Sequence, residues 1–115
     1  PTCSAKHLPG FINSTNEIKK KGIKKIICIS INDAFVMDAW GKSHGTHGKI
    51  TMLGDPRGDF TKSIGAELDL NTRGLGIRSA RYTMMIESGV VKKIFREEVA
   101  GKCEVTSAEN FLRQI

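Results

Sequence analysis

The apolar residues at the start of the chain recur at helical spacing, which predicts a helix from Ser4 to about Gly22. The apolar positions of this helix are Phe11, Ile12 and Ile18. Pro9 lies inside it, and because proline removes one backbone hydrogen bond and clashes with the preceding turn, we expect a kink there. The pattern therefore predicts an interrupted amphipathic helix.

Four short apolar runs predict strands. Residues 25–31 form a nearly continuous, isoleucine-rich run, which is typical of a central parallel strand buried on both faces. Residues 50–53 predict a second short strand. Residues 82–87 and 90–96 are two β-rich runs, and the tight turn Ser88-Gly89 between them predicts an antiparallel hairpin.

Two further helices are predicted before the hairpin. Asn32 or Asp33 can cap the first, which ends near Gly41. Its apolar positions are Phe35, Val36, Ala39 and Trp40. Asp59 is predicted to cap a short second helix over residues 60–66.

The remaining segments complete an α/β pattern. Residues 71–79, which include two glycines and show no clear period, are predicted as an exposed loop, and so are residues 100–104. Thr106 or Ser107 caps a closing helix with its apolar positions at Phe111, Leu112 and Ile115. We expect a single domain over residues 1–115, in which helices flank a mixed central sheet.

Composition and charge exclude several classes of protein. Hydrophobic residues make up 39% of the chain and charged residues 26%, which is ordinary for a globular domain. The net charge of +6 could attract an anionic partner, but aromatic residues make up only 6% and do not interleave with the basic ones, so we expect no nucleic-acid partner. No apolar run has the length of a membrane span, so we expect no membrane partner either.

The cysteines indicate redox chemistry rather than a disulfide scaffold or a metal site. Cys3, Cys28 and Cys103 are an odd, sparse set without a C-x-x-C pair. His44 and His47 have no third ligand at a supporting spacing, so we expect no metal and no cofactor. A reducing compartment fits this set, and we expect a cytoplasmic protein, or a mitochondrial one if a targeting segment was removed.

Cys3 stands where the first helix should begin. A thiol at a helix N-terminus faces unpaired backbone N–H groups and the positive end of the helix dipole, which favour the nucleophilic thiolate. Lys6 and His7, about one turn along, add donors or positive charge. From spacing alone, a reactive cysteine and an ordinary cysteine at a frayed terminus both remain open.

The segment around Cys3 also resembles a known family. Residues 1–4 read Pro-Thr-Cys-Ser and residues 6–11 read Lys-His-Leu-Pro-Gly-Phe. This segment is similar to the one around the peroxidatic cysteine of peroxiredoxins, most of all the type II, atypical two-cysteine or peroxiredoxin-five-like class. The resemblance covers nearly the whole chain, continuing at residues 26–37, 39–40, 74–82 and 105–109.

The resemblance implies a thioredoxin-like fold and a thiol peroxidase that reduces hydrogen peroxide and organic hydroperoxides. Cys3 is then the nucleophile that becomes a sulfenic acid, and Arg81 is the arginine held against its thiolate. Arg78 and Arg73 lie nearby in the sequence and compete for that role. Glutaredoxin, thioredoxin or a small thiol is the implied reductant, and a homodimer is the implied assembly.

Three residues are predicted to line the substrate pocket. They are Thr2, His7 and Leu75. A solvated helix histidine remains the alternative for His7, and simple loop packing remains the alternative for Leu75.

The resemblance leaves the resolving thiol open. Plant-type members place a resolving cysteine in the strand that contains Cys28, whereas a buried, inert structural cysteine is the alternative. Animal-type members place theirs close to Val105, and Cys103 lies two residues short of that position.

One departure from the family concerns the start of the chain. Family members have a threonine three residues before the cysteine, and here only two residues precede Cys3, so Thr2 is not its equivalent. We therefore expect an N-terminally truncated peroxiredoxin. The alternative function is a non-catalytic thioredoxin-fold fragment or interaction module, whose open strand edges invite pairing.

Overall fold

A computed structural model describes residues 2–99 and 101–115 of the chain. Contacts divide it into two units, one formed by the residues up to Gly22 together with Arg81–Ile115, and one formed by Ile23–Ala80. Pro1 of the cysteine motif and Ala100 of the predicted loop lie outside the described residues. The single domain over residues 1–115 stays a prediction.

The first helix is interrupted twice. A π-helical turn over Cys3–His7 leads into α1 (Leu8–Asn13), and after Ser14 the chain continues as α2 (Thr15–Lys20). Pro9 lies in the first turn of α1, directly after the π-helical turn, and because proline has no N–H it cannot donate a helical bond back into that turn. The predicted interruption is therefore present as a change of helix type just before the proline, and the second break was not predicted.

The hairpin and the closing helix complete the first unit as predicted. Strands β5 (Tyr82–Glu87) and β6 (Val90–Arg96) pair in antiparallel fashion. Ser88 and Gly89 both have positive φ, of 52° and 78°, as a type I′ turn requires. Ser107 caps the last helix (Ala108–Gln114) by accepting a hydrogen bond from the Asn110 N–H at 3.1 Å. The buried apolar residues of this unit are Leu8, Ile18, Ala108 and Phe111.

The second unit begins with a β-α-β segment. Strand β1 (Ile27–Ser30) pairs in parallel with β2 (Thr51–Gly54), and α3 (Ala34–His44) connects them. The parallel pairing was predicted, but the central position of residues 25–31 was wrong. In the described part of the chain β1 pairs with β2 alone, and Ile27 is 51% exposed. An apolar run reports strand propensity but does not fix the number of neighbouring strands.

Helix α3 begins as predicted but buries a different face. Asp33 caps it by accepting the Val36 N–H at 2.8 Å, and the helix ends at His44, three residues past Gly41. Met37 and Gly41 are its buried residues, whereas Phe35, which was predicted to face the core, is 86% exposed. A Cβ on Gly41 would lie 2.7 Å from Thr46 Oγ1 and 2.8 Å from a Met52 side-chain carbon, so this close approach to β2 selects the face.

Residues 59–79 differ most from the prediction. Helix α4 (Asp59–Ser63) is capped by Asp55, which accepts the N–H groups of Phe60 and Thr61, and not by Asp59. Strand β3 (Glu67–Leu70) and strand β4 (Gly76–Ser79) form an antiparallel pair, separated by a 3₁₀ turn over Asn71–Arg73. Part of the predicted exposed loop is therefore a strand, and positive φ angles at Gly74 and Gly76 form the connection.

The described strands pair in both parallel and antiparallel directions. Among the described residues, hydrogen bonding gives three two-stranded sheets, one parallel and two antiparallel. The mixed pairing and the α/β class agree with the prediction, whereas the single central sheet does not. The pairing of each run was readable from local pattern, but lateral joining of the pairs depends on long-range register.

Candidate active site

Cys3 lies at the start of the first helix. Thr2 already has helical dihedral angles, Cys3 begins the π-helical turn, and the Cys3 carbonyl accepts a hydrogen bond from the Leu8 N–H. The Cys3 side chain is partly buried. The thiol therefore stands in the first helical turn that the structure describes.

His7 follows Cys3 by about one helical turn, and its imidazole is held by a hydrogen bond to Thr83. Its Nε2 lies 3.2 Å from Thr83 Oγ1, and that hydroxyl donates to the Thr106 carbonyl at 2.6 Å. Because the Thr83 proton is used on Thr106, His7 Nε2 is the donor of the first bond. The neutral ring then carries its proton on Nε2, which leaves Nδ1 as an acceptor.

The imidazole of His7 is kept neutral. Burial, and next the positive charge of Arg81, lower the pKa of His7 from 6.5 to about 4, against the raising effects of the Thr106 carbonyl and Glu97. His7 therefore adds no positive charge near neutral pH, although the sequence allowed it to add either a donor or a charge.

This neutral histidine predicts a pH dependence of stability. In the unfolded chain His7 binds a proton as the pH falls through about 6.5, whereas in the folded chain it does so only near pH 4. The neutral ring therefore contributes fully to folding stability above pH 6.5, and this contribution is lost as the pH falls from 6.5 to 4. We expect the free energy of unfolding to fall by at most about 3 kcal/mol over this range. Denaturant unfolding of the wild type and His7→Gln between pH 7 and 4.5 measures it.

The matched control for this prediction is His47→Gln, because His47 is exposed. It should keep the wild-type pH dependence, whereas His7→Gln should lose most of it. Glu97 and Asp55, whose pKa values are lowered, also contribute to stability less as the pH falls, but they are present in all three proteins, so the comparison with His7→Gln cancels their effect. Parallel curves for the wild type and His7→Gln would contradict the neutral, buried state of this ring.

Arg81 is the residue before β5, and its side chain is hydrogen-bonded to the loop that precedes the last helix. Its Nη1 donates to the Lys102 carbonyl at 2.6 Å, and its own carbonyl accepts the Glu97 N–H at 3.0 Å. Thr2 Oγ1 donates to the Gly101 carbonyl at 3.2 Å, next to Lys102. The turn that carries Cys3 and the guanidinium of Arg81 therefore bind adjacent carbonyls of one loop.

A buried carboxylate organises the same loop, and the sequence did not predict it. Glu97 is 9% exposed, and its Oε2 accepts the Glu104 N–H at 3.1 Å, the Thr106 N–H at 3.1 Å and the Thr106 hydroxyl at 2.7 Å. Burial alone raises the pKa of Glu97, but hydrogen bonds from the hydroxyl of Thr106 and from backbone N–H groups outweigh it, so the pKa is lowered. The residue is ionised at neutral pH. The sequence signal was Thr106 alone, considered only as a helix cap.

The other predicted residues occupy separate positions. Cys28 lies in β1 opposite Met52, and Leu75 is 48% exposed before β4, so both belong to the second unit. Cys103 lies in the loop of the first unit, 3.8 Å from Thr106 Oγ1. None of the three cysteines forms a disulfide within the described ranges.

The competing arginines also belong to the second unit. Arg78 donates through Nε to the Leu75 carbonyl at 2.7 Å and through Nη1 to Asn32 Oδ1 at 3.2 Å, so its guanidinium holds the loop before β4. Arg73 ends the 3₁₀ turn and is exposed. Of these three arginines, Arg81 is the one that shares a unit with Cys3 and His7.

Two general properties of the described residues bear on the site. No described helix combines the length and the apolar character that crossing a membrane demands. Among residues 2–99 and 101–115, histidine, cysteine and acidic side chains do not gather into a group of three that could hold a metal ion.

The similarity to known proteins covers all the residues of the candidate site. The family model for redoxins matches residues 1–112. The chain is 47% identical to the chloroplastic peroxiredoxin-2E of Arabidopsis thaliana and 44% identical to peroxiredoxin-2C of the same plant, and it is covered completely in both. It spans 50% of the length of the first relative and 70% of the second.

A solved structure agrees over the same extent. The reduced Prx3 of Vibrio vulnificus in complex with H₂O₂ superposes with a TM-score of 0.93 at 43% identity, covering 100% of this chain and 73% of that one. This likeness confirms the thioredoxin-like α/β fold that the resemblance implied. With the family model and these relatives together, the chain belongs to the redoxin family, and within it to the peroxiredoxins.

Proposed function

We propose that this protein is a thiol peroxidase that reduces hydrogen peroxide and organic hydroperoxides through Cys3. The observation that carries the proposal is the placement of Cys3 in the first helical turn, one turn from a neutral His7 that is close enough to Arg81 for the guanidinium to affect its protonation. A helix N-terminus and a guanidinium both favour an anion, which is what a cysteine nucleophile needs.

The chemical step is a displacement at oxygen. The Cys3 thiolate attacks one peroxide oxygen, an S–O bond forms, and the O–O bond breaks. The other oxygen leaves with the electron pair and takes up a proton as water or an alcohol, while cysteine is oxidised by two electrons to the sulfenic acid. Arg81 is proposed to approach the sulfur and the leaving oxygen, because its fixed positive charge stabilises the charge that develops there.

The pocket is proposed to include Thr2, His7 and Leu75. Thr2 is held by the Gly101 carbonyl and His7 by Thr83, so both side chains are oriented by the first unit. The neutral His7 offers Nδ1 as an acceptor for a peroxide O–H and leaves Arg81 as the cation of the site. Leu75 is proposed as the apolar rim of the pocket, since it is an exposed apolar side chain in the segment that resembles that rim.

Recycling of the sulfenic acid needs a second thiol. We propose Cys28 as the resolving residue within a type II subclass, since its strand matches the plant-type pattern and its relatives include plant peroxiredoxins. A Cys3–Cys28 disulfide forms only where the two residues meet strict limits of distance and dihedral angle. Cys103 remains the weaker candidate, since its place in the loop lies two residues from the animal-type position.

The partners and compartment are further parts of this proposal. Glutaredoxin, thioredoxin or a small thiol is the proposed electron donor, and a homodimer is the proposed assembly. A cytoplasmic or mitochondrial protein is proposed, whereas one relative is named as chloroplastic.

Peroxide consumption tests the function. The protein is mixed with limiting hydrogen peroxide or an alkyl hydroperoxide, and glutaredoxin, thioredoxin and dithiothreitol are supplied in turn as electron donors. The rate of peroxide consumption is compared with that of free cysteine. We expect turnover with at least one donor and a first oxidation at least about a hundredfold faster than that of free cysteine, because a stabilised thiolate and leaving group both lower the barrier. A rate equal to that of free cysteine would favour the non-catalytic interaction module instead.

A further inference from the structure

Glu97 connects two parts of the proposed site without belonging to its expected residues. Its backbone N–H donates to the Arg81 carbonyl at 3.0 Å, so the main chains of the two residues are paired across the end of the hairpin. Its side chain turns to the loop that follows and accepts three hydrogen bonds on one oxygen, from Glu104 and Thr106. One residue therefore fixes both the backbone of Arg81 and the loop.

The loop in turn contacts the Arg81 guanidinium. The Lys102 carbonyl accepts from Arg81 Nη1 at 2.6 Å, and the Lys102 N–H donates to the Val99 carbonyl at 3.0 Å. Lys102 lies two residues before Glu104, whose N–H the carboxylate holds. The position of the carbonyl that receives the guanidinium thus depends on the bonds made by Glu97.

The same carboxylate reaches His7 by a second chain of bonds. Thr106, which is fully buried, donates its hydroxyl to Glu97 at 2.7 Å. Its carbonyl accepts from Thr83, and Thr83 accepts from His7 Nε2. Removal of the Glu97 carboxylate would leave the N–H and the hydroxyl of Thr106 without their acceptor. Because both groups are buried away from water, the loss of these hydrogen bonds would destabilise the loop.

We propose that Glu97 is a positioning residue for peroxide reduction: its ionised carboxylate holds the loop 101–106 so that Lys102 orients the Arg81 guanidinium and Thr106 orients His7. This inference rests on the proposed thiol peroxidase function. A carboxylate suits the task because bonds to an ionised acceptor are about twice as strong as neutral ones, and three donors converge on one oxygen.

The test is a double-mutant cycle on the rate of Cys3 oxidation by hydrogen peroxide. The four proteins are the wild type, Glu97→Gln, Arg81→Lys and the double variant, and Glu98→Gln is the matched control because Glu98 is the exposed neighbour. Glutamine keeps an acceptor oxygen and loses the charge. We expect Glu97→Gln to slow the wild type about tenfold and the Arg81→Lys protein by a clearly smaller factor, because the part of the effect that passes through the guanidinium is lost there while the part that passes through His7 remains.

Hydrogen exchange provides a readout that does not depend on activity. The amides of Glu104 and Thr106 should exchange faster in Glu97→Gln than in Glu98→Gln, while the amides of α2 stay unchanged. A wild-type rate in Glu97→Gln, or an equal tenfold loss in both backgrounds, overturns the positioning role and leaves the peroxidase proposal standing. A wild type that reacts no faster than free cysteine overturns both.

Discussion

Replacement of Cys3 by serine should abolish peroxide turnover, lowering the rate by about a thousandfold or more to the uncatalysed background. A serine hydroxyl is not ionised near neutral pH, and its oxygen cannot undergo the two-electron oxidation to a sulfenic acid that the cysteine sulfur supplies. The side chain changes by one atom and is only partly buried, so the fold should persist. Peroxide consumption under single-turnover and steady-state conditions measures the loss.

Two matched controls make this result specific. Cys103→Ser should keep the first oxidation, because its sulfur lies in the loop beside Thr106 and not in the first helical turn. Cys28→Ser should also keep the first oxidation and at most impair recycling. Full peroxidase activity in Cys3→Ser would contradict the mechanism, and loss of the first oxidation in Cys28→Ser would move the nucleophile to β1.

Replacement of Arg81 by methionine should slow the first oxidation by about a hundred- to a thousandfold, which is the range for removal of one donor to a developing anion. Methionine retains a long side chain but has neither the charge nor the N–H groups that now reach the Lys102 carbonyl. Arg81→Lys should retain part of the rate, because an ammonium keeps the charge but not the forked donors. Stopped-flow measurement of thiol oxidation against peroxide concentration tests both variants.

Arg73→Met is the matched control for this experiment. Arg73 is an exposed arginine at the end of the 3₁₀ turn, and its substitution removes the same charge from the chain. It should leave the rate within about twofold of the wild type, since the charge of an exposed side chain is largely screened by salt. A greater loss in Arg73→Met than in Arg81→Met would remove Arg81 from the site.

Elements with strong local signals were predictable from sequence. The hairpin was found because Ser88-Gly89 separates two β-rich runs and adopts the positive φ angles that its turn requires. The caps at Asp33 and Ser107 were each predicted as one of two neighbouring candidates, because their side chains bond to N–H groups three residues away. Such contacts lie within a few residues, so the local sequence contains all the information.

Features that depend on distant contacts were missed. The pair β3 and β4 has only four residues per strand, and its alternation of Glu67, Leu68, Asp69 and Leu70 is too short to distinguish from a loop. The buried face of α3 was mistaken because the choice between Phe35 and Met37 depends on the close approach of Gly41 to β2. Neither signal is contained in a local period.

The candidate site divides in the same way. Cys3 was indicated by its place at a helix start, His7 by its spacing from Cys3, and Arg81 by resemblance alone. The role of Glu97 could not be predicted from the sequence, because its carboxylate meets Glu104 and Thr106 only when their loop folds back onto it. The lowered pKa of His7 depends likewise on burial and on a charge 74 positions away in the sequence, at Arg81.

The most direct measurement of the central claim is the identity of the cysteine that oxidises first. The wild-type protein is exposed to substoichiometric hydrogen peroxide in the presence of a sulfenic-acid trap, and peptide mass spectrometry quantifies the label at each cysteine. Cys3 should carry nearly all of the label, with Cys28 and Cys103 largely spared, because the proposed mechanism makes Cys3 the nucleophile that attacks the peroxide. Preferential labelling of Cys28 or Cys103 would contradict the account.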